Sequence, residues 1–346
     1  MDNHLTRRRF LQHAATAAAA AVVPRFDAGA LLPTADPEGT LADGRYLYVA
    51  VPGVRNYLEY GGTGILVFDM DDGYRFVRRI STPNVDPAIN VKGVCANART
   101  GRLYFSTTQK VFALDLLTER LLWVREYTGG TDRLALSPNG RVMYVPSFEG
   151  PHWNVVDAGT GEVTSTLVLN SRAHNTLFGP DGRRVYLAGL ASPWLSVADA
   201  RRHRVIHRVG PFAASIRPFT INARQTLCFV NVNELLGFEV GDIRRGIKLH
   251  RVTVQGFEPG PVKRHGCPSH GVGLTPDERE VWVVDGHNSH VHVFAATTLP
   301  PRQVASIPVR DQPGWISFSR DGAHAWPSTG EGRGGPPHPV SHCHSP

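Results

Sequence analysis

Six ionisable side chains, Asp36, Lys92, Asp132, His174, Arg217 and His270, each stand six residues ahead of the second residue of a recurring four-residue turn; the seventh copy of that position is Gly314. If the repeat brings them together, they form one polar ring. Carboxylates, imidazoles and cations in such a ring could hold a polar ligand. Neutral imidazoles could instead bind a divalent or redox metal such as zinc, copper or iron, and a three-His site with an open position could activate water. Loops later in the repeats would overhang the ring with Tyr57, Glu59 and Tyr60, with Glu149 and His152, with Trp194, with Asn231, Asn233 and Glu234, and with Asp285, His287 and His290. This phase sets His152 near His174 and His270 near His287. The other reading of the ring is a wet channel holding hydrogen-bonded pairs, such as Asp132 with Arg217 or with Lys92.

The elements that must position these residues are legible in the turn itself. It reads Ser137-Pro138-Asn139-Gly140, Gly179-Pro180-Asp181-Gly182, Thr275-Pro276-Asp277-Glu278 and Ser319-Arg320-Asp321-Gly322. Degenerate copies begin at Leu41, Asn97 and Asn222. Short Val, Leu, Tyr and Phe runs follow each turn, and helix-period patterns are almost absent after Ala30, which is the all-β signature. Seven turns spaced by about 45 residues suit four-stranded propeller blades. The third strand of several repeats ends in an aspartate, Asp69, Asp115, Asp157 and Asp199. Asx side chains bond the backbone two residues on, so these are turn residues.

Tyr144-Val145, then Val155-Val156-Asp157-Ala158-Gly159-Thr160-Gly161-Glu162-Val163, then Phe178-Gly179-Pro180-Asp181-Gly182 and Val185-Tyr186-Leu187 resemble the YVTN-type propeller repeat. The chain is similar to the YncE-like family of exported bacterial propellers, over about residues 40–328. The resemblance implies an all-β, seven-bladed β-propeller of four-stranded antiparallel blades spanning residues 31–328. The last blade is expected to be incomplete, whether truncated, frameshifted or degenerate, because the Gly-, Pro- and His-rich tail 329–346 holds no apolar run to finish it.

Residues 1–30 resemble a twin-arginine (Tat) export signal. Arg7-Arg8-Arg9-Phe10-Leu11 is followed by an Ala-rich stretch from Ala14 to Val23 and a small-residue cleavage site at Ala28-Gly29-Ala30. That stretch is too short and too weakly apolar for a membrane span, which needs about 20 residues. The expectation is a periplasmic or secreted monomer that engages the Tat translocon during export and keeps no transmembrane span after cleavage. Of the net charge of +7, the signal carries part, and no Lys/Arg run marks a nucleic-acid surface. Cys95, Cys228, Cys267 and Cys343 show no paired spacing that demands disulfides. Cys267 and His270 have a C-x-x-H spacing, and His338, His342, Cys343 and His344 have a metal-binding look. His290 and His292 share one strand face, read as a solvated outer strand.

No nucleophile-elbow, P-loop, dinucleotide or haem-attachment motif is present in the sequence. The function expected is therefore binding or scaffolding, with the ring offered to a small molecule, a cell-wall fragment or a periplasmic protein. One alternative is a metal-dependent hydrolase of propeller-lactonase type, drawing carboxylates from Asp36, Asp132, Glu149 and Glu234 against the opposing charges of Lys92 and Arg217. The other is a copper or iron oxidoreductase using His152, His174, His270 and His287. Replacing His174 and His270 together is expected to change binding and barely alter folding.

Overall fold

The structure, a computed structural model, describes residues 44–52, 63–82, 91–260, 267–310 and 312–328. The signal-like segment, Asp36, the loop with Tyr57, Glu59 and Tyr60, and the tail with His338, His342, Cys343 and His344 lie outside them. The described residues form β-strands joined by tight turns. Five sheets have four antiparallel strands: β4 (Val91–Asn97), β5 (Arg102–Thr107), β6 (Lys110–Asp115) and β7 (Leu121–Glu126); β8 (Ala135–Leu136), β9 (Val142–Pro146), β10 (His152–Asp157) and β11 (Val163–Val168); β12 (Ala173–Phe178), β13 (Arg184–Gly189), β14 (Leu195–Asp199) and β15 (Arg204–Val209); β16 (Ile216–Ile221), β17 (Leu227–Val232), β18 (Gly237–Asp242) and β19 (Ile247–Thr253); β20 (Ser269–Leu274), β21 (Glu280–Asp285), β22 (His290–Ala295) and β23 (Arg302–Pro308). A sixth sheet has three strands, β1 (Tyr46–Pro52), β2 (Thr63–Asp69) and β3 (Arg75–Ile80). The chain is thus a β-propeller of six blades among the described residues. A two-stranded partial sheet, β24 (Ile316–Phe318) with β25 (Ala325–Pro327), follows where the seventh blade was expected.

The sheets share their cores with neighbours. Each four-stranded blade buries its central strands, and its fourth strand is mostly exposed, as in β7 and β11. Apolar clusters form between successive sheets: Tyr104 and Trp123 of one blade pack with Met143 and Val156 of the next, and Tyr186 and Val197 pack with Val230 and Ile243. The partial sheet joins the same scheme, since Ile316 packs on Trp282, Val284 and Val293. Each such large apolar side chain stabilises the fold by about 1.5–3 kcal/mol when fully buried. The repeat tyrosines add polar ties across the gaps. Tyr104 donates to Ala158 O at 3.0 Å, and Tyr186 donates to Gln225 Oε1 at 3.0 Å.

The turns behave as their sequence demands. Asp115 Oδ1 accepts from Leu117 N and Thr118 N, and Asp199 Oδ1 accepts from Arg201 N and Arg202 N. Gly140, Gly182 and Gly322 close their turns at φ of 71°, 68° and 69°, the left-handed region. Glu278 takes the same place at φ 58°.

The partial sheet also meets the first sheet. Tyr74, on the turn between β2 and β3, sets its ring edge-on to His324 at 5.0 Å and to Trp326 at 5.6 Å. Aromatic contact thus joins the partial sheet to the first sheet, six places apart in chain order. Tyr74→Ala is expected to cost about 1–3 kcal/mol, as edge-to-face pairs and part-buried rings do. It should also speed amide exchange in β24–β25 far more than in β12–β15, as read by hydrogen-exchange mass spectrometry. Equal exchange in both sheets would show that the seam does not depend on Tyr74.

Candidate functional site

The first strand of several blades packs against the first two strands of the preceding one, as β12 does on β8 and β9, and β20 on β16 and β17. First strands therefore line the central channel. Where they enter, their ladders slip. Val91 pairs with Thr107 and Gly93 with Ser106, so Lys92 is an extra residue. His174 is the extra residue between Ala173 and Asn175. Arg217 with Pro218 and His270 with Gly271 fall in the corresponding slips of β16 and β20. A bulge residue is released from the ladder and its side chain is re-aimed. In the third blade, β8 begins only at Ala135, so Asp132 and Arg133 precede the strand.

Lys92, Asp132 and His174 converge as the repeat phase predicts. All three are buried, with the Lys92 and Asp132 side chains fully shielded. Lys92 Nζ lies 3.8 Å from Asp132 Oδ1 and 5.2 Å from the Phe148 ring centre. His174 Nδ1 lies 2.8 Å from Asp132 Oδ2, and Arg133 Nη1 lies 2.7 Å from His174 Nε2. A guanidinium can only donate, so Nε2 is the acceptor and Nδ1–H donates to Asp132. Burial pushes the Asp132 carboxyl up; Lys92, His174 and Arg133 outweigh it and hold it well below the usual carboxylate range.

Arg133 was missed by sequence reasoning, which indexed one residue per blade. It belongs to the third blade, donates to His174 of the fourth, and lies 4.3 Å over the Trp315 ring beside β24. Those sheets are not neighbours, so the side chain crosses the channel. A strand alternates its side chains, which would have sent residue 133 away from the face of Asp132. The entry before β8 does not alternate, so both side chains join the network.

The other ring residues are placed separately. His270 Nδ1–H donates to Gly314 O at 3.0 Å, and its ring stands edge-on to Trp315 at 5.1 Å. Asn231 Nδ2 donates to His270 O at 2.8 Å. Arg217 Nε donates to Asn233 Oδ1 at 2.6 Å, so of the two pairings considered for Asp132 the Lys92 one is present. Three buried polar atoms on this wall have no partner: Asn175 Nδ2, Trp315 Nε1 and Asn231 Oδ1.

The histidines expected as metal ligands are not gathered. His174 uses both ring nitrogens on Asp132 and Arg133. A Cβ placed on Gly129 would sit 3.2 Å from the His152 ring, and His287 packs against Gly260 with its amide bonded to Asp285. Among the described residues no three His, Cys, Asp or Glu side chains are grouped to hold a metal. The four expected ligands therefore form no such group among the described residues. His174 and His270, at 2% and 3% exposure and hydrogen-bonded, also serve the fold; their joint removal should cost stability as well as binding.

A second polar chain sits within the sixth blade. His292 is fully buried; the sequence reading of a solvated outer strand is corrected, because β22 is an inner strand flanked by β21 and β23. Its Nε2 meets Asp285 Oδ2 at 3.1 Å and its Nδ1 meets Ser306 Oγ at 2.9 Å, while the Phe257 ring lies 4.7 Å away. Burial pushes the Asp285 carboxyl up, yet bonds from His292 and Asn288 bring it below its ordinary value. Among the described residues Cys95 and Cys228 form no disulfide, and burial pushes the Cys228 thiol up to about 12, which makes it inert at neutral pH.

No protein-family model matches the chain, and no curated protein matches it in sequence. Solved structures do match in fold. One is the dihydro-heme d1 dehydrogenase NirN in complex with DHE, at 15% identity and a TM-score of 0.61 over 87% of this chain; this chain spans 60% of that one. Another is a chain of the mitotic checkpoint complex, at 14% identity and a TM-score of 0.67, covering 88% of this chain and 94% of that one. A third is the β-propeller domain of Myceliophteria thermophila Cps50 (Swd1), at 13% identity and a TM-score of 0.59, covering 78% and 87%. At these identities the likeness carries the propeller fold and nothing about the ligand.

Proposed function

We propose that this chain is an exported β-propeller binding protein that takes a small molecule at the polar mouth of its channel. The observation that carries the reading is the buried network running Lys92–Asp132–His174–Arg133–Trp315, which draws residues of three blades and the partial sheet onto the axis. Nothing in packing calls for so many charges at one point, since each buried charge costs free energy unless it is paired. Export rests on the Tat-like Arg7-Arg8-Arg9 segment. Among the described residues no helix is long and apolar enough to cross a membrane. A seven-bladed closure rests on the partial sheet, which packs on the sixth blade and meets the first sheet. The YncE-like kinship rests on the YVTN-type repeats.

The test is a melting-temperature panel of neutral sugars, acids, amines and short peptides on the full chain. A ligand at one hundred times its Kd adds about 2.7 kcal/mol to stability. At least one chemical class should raise the melting temperature of the native chain and fail to do so in Arg133→Met. A panel with no shift, or shifts indifferent to Arg133→Met, would remove the channel as a binding site. Shifts by peptides alone would assign the mouth to a protein partner instead.

A further inference from the structure

The partnerless atoms around Arg133 have a common sense. Asn175 Nδ2 and Trp315 Nε1 are both N–H donors, and both are shielded from water. They flank the same guanidinium: Asn175 Oδ1 accepts from Arg133 Nη1 at 3.4 Å, and the Trp315 ring lies under the guanidinium carbon at 4.3 Å. The Asn175 orientation is fixed by that contact, because a flipped amide would turn its own donors toward Arg133. The neighbouring imidazole offers no further donor, as His174 Nε2 accepts from Arg133 and its Nδ1–H is spent on Asp132. The local chemistry around this guanidinium is therefore rich in N–H donors, and Lys92 lies on the same network. Buried polar groups are paired in the great majority of cases, so two orphan donors beside one guanidinium call for an acceptor with at least two oxygens.

We infer that the ligand of the channel mouth presents an oxyanion, a carboxylate or a phosphate, to Arg133, Asn175 and Trp315; this rests on the binding reading given above. The Asn231 Oδ1 orphan, beside His270, is an acceptor and would suit a hydroxyl on the same molecule. A sugar acid combines both features. The guanidinium lies over the indole and is bonded to His174 and Asn175, so little side-chain freedom remains to be lost on binding.

The experiment is calorimetric titration of the full chain with acetate, D-glucuronate, inorganic phosphate and D-glucose, at low and high salt. Glucuronate or phosphate should bind, with affinity falling as salt rises, while glucose binds at least tenfold more weakly than glucuronate. Preference for glucuronate over phosphate assigns a carboxylate, and the reverse assigns a phosphate. Trp315→Phe keeps an aromatic face and removes the N–H together with the five-membered ring; it should weaken the acid several-fold. Asn175→Asp, of equal size, should weaken it at least tenfold by placing a carboxylate beside the oxyanion. Circular dichroism of both variants checks that they are folded. Glucose binding as tightly as glucuronate, with loss in Arg133→Met, would overturn the oxyanion and leave the binding site standing. No binding of any of the four, or acid binding unchanged in Trp315→Phe and Asn175→Asp, would overturn it as well. If the wider panel also shows no Arg133-dependent shift, both readings fall together.

Discussion

Asp132→Ala is expected to lower the unfolding free energy by about 3–5 kcal/mol, the usual result of removing one member of a buried ion pair. The carboxylate is fully shielded and answers Lys92 Nζ, His174 Nδ1 and the Arg133 amide at 3.8, 2.8 and 2.9 Å. Its removal takes the acceptor from all three at once. Asp132→Asn, which keeps an acceptor but no charge, should fall between the native chain and the alanine variant. The pH dependence has a definite sign. The folded carboxyl lies below its unfolded value of about 3.9, so its contribution is present above about pH 4 and is lost as pH falls from there toward the folded value. The gap between native and Asp132→Ala curves should be constant from pH 7 to 5 and shrink below about pH 4. Urea denaturation at each pH measures it; a loss under about 1 kcal/mol at pH 7 would mean the network is ornamental to the fold.

Asp285→Ala should be of similar size, about 2–4 kcal/mol, for a different reason. Asp285 carries four hydrogen bonds: from His292 Nε2 at 3.1 Å, Asn288 Nδ2 at 2.7 Å, and the amides of His287 and Asn288 at 3.0 and 2.9 Å. Bonds to a charged acceptor contribute about 1.5–3 kcal/mol each, and not additively within one network. The variant releases the turn after β21 and orphans the buried imidazole together. Ser306→Ala removes only the far end of the chain and should cost less than about 1 kcal/mol. Equal losses from the two variants would show that the turn is not held by the carboxylate.

The propeller was legible because its evidence is local and repeated. A turn glycine at positive φ, an Asx side chain and an apolar strand recur in Ser137–Tyr144 as in Gly179–Tyr186. The proximity of Lys92, Asp132 and His174 was legible for the same reason, since a fixed offset from a fixed turn is a fixed place on the blade. Three things were not. Arg133 sits where the entry to β8 abandons strand alternation, and no spacing rule reports that. Pairing by proximity of index set His152 beside His174; the structure seats His152 against Gly129, because the side chain's direction, not the blade's, decides the contact. His292 was misjudged because two histidines in alternation look alike on an outer and an inner strand; only the fourth strand, β23, covering β22 tells them apart.

The slipped registers at Lys92, His174, Arg217 and His270 bear on how such a chain could diversify. A residue outside the ladder has no cross-strand mate whose shape it must match. Substitution there changes what the mouth presents while the neighbouring backbone bonds persist. The fold thus separates two kinds of inheritance: a conservative frame, specified by turns and interblade apolar residues, and a short set of interchangeable letters at the axis. A library randomised at Arg217 alone, with His270 and the Lys92–Asp132–His174 cluster left in place, would explore new ligands without rewriting the frame.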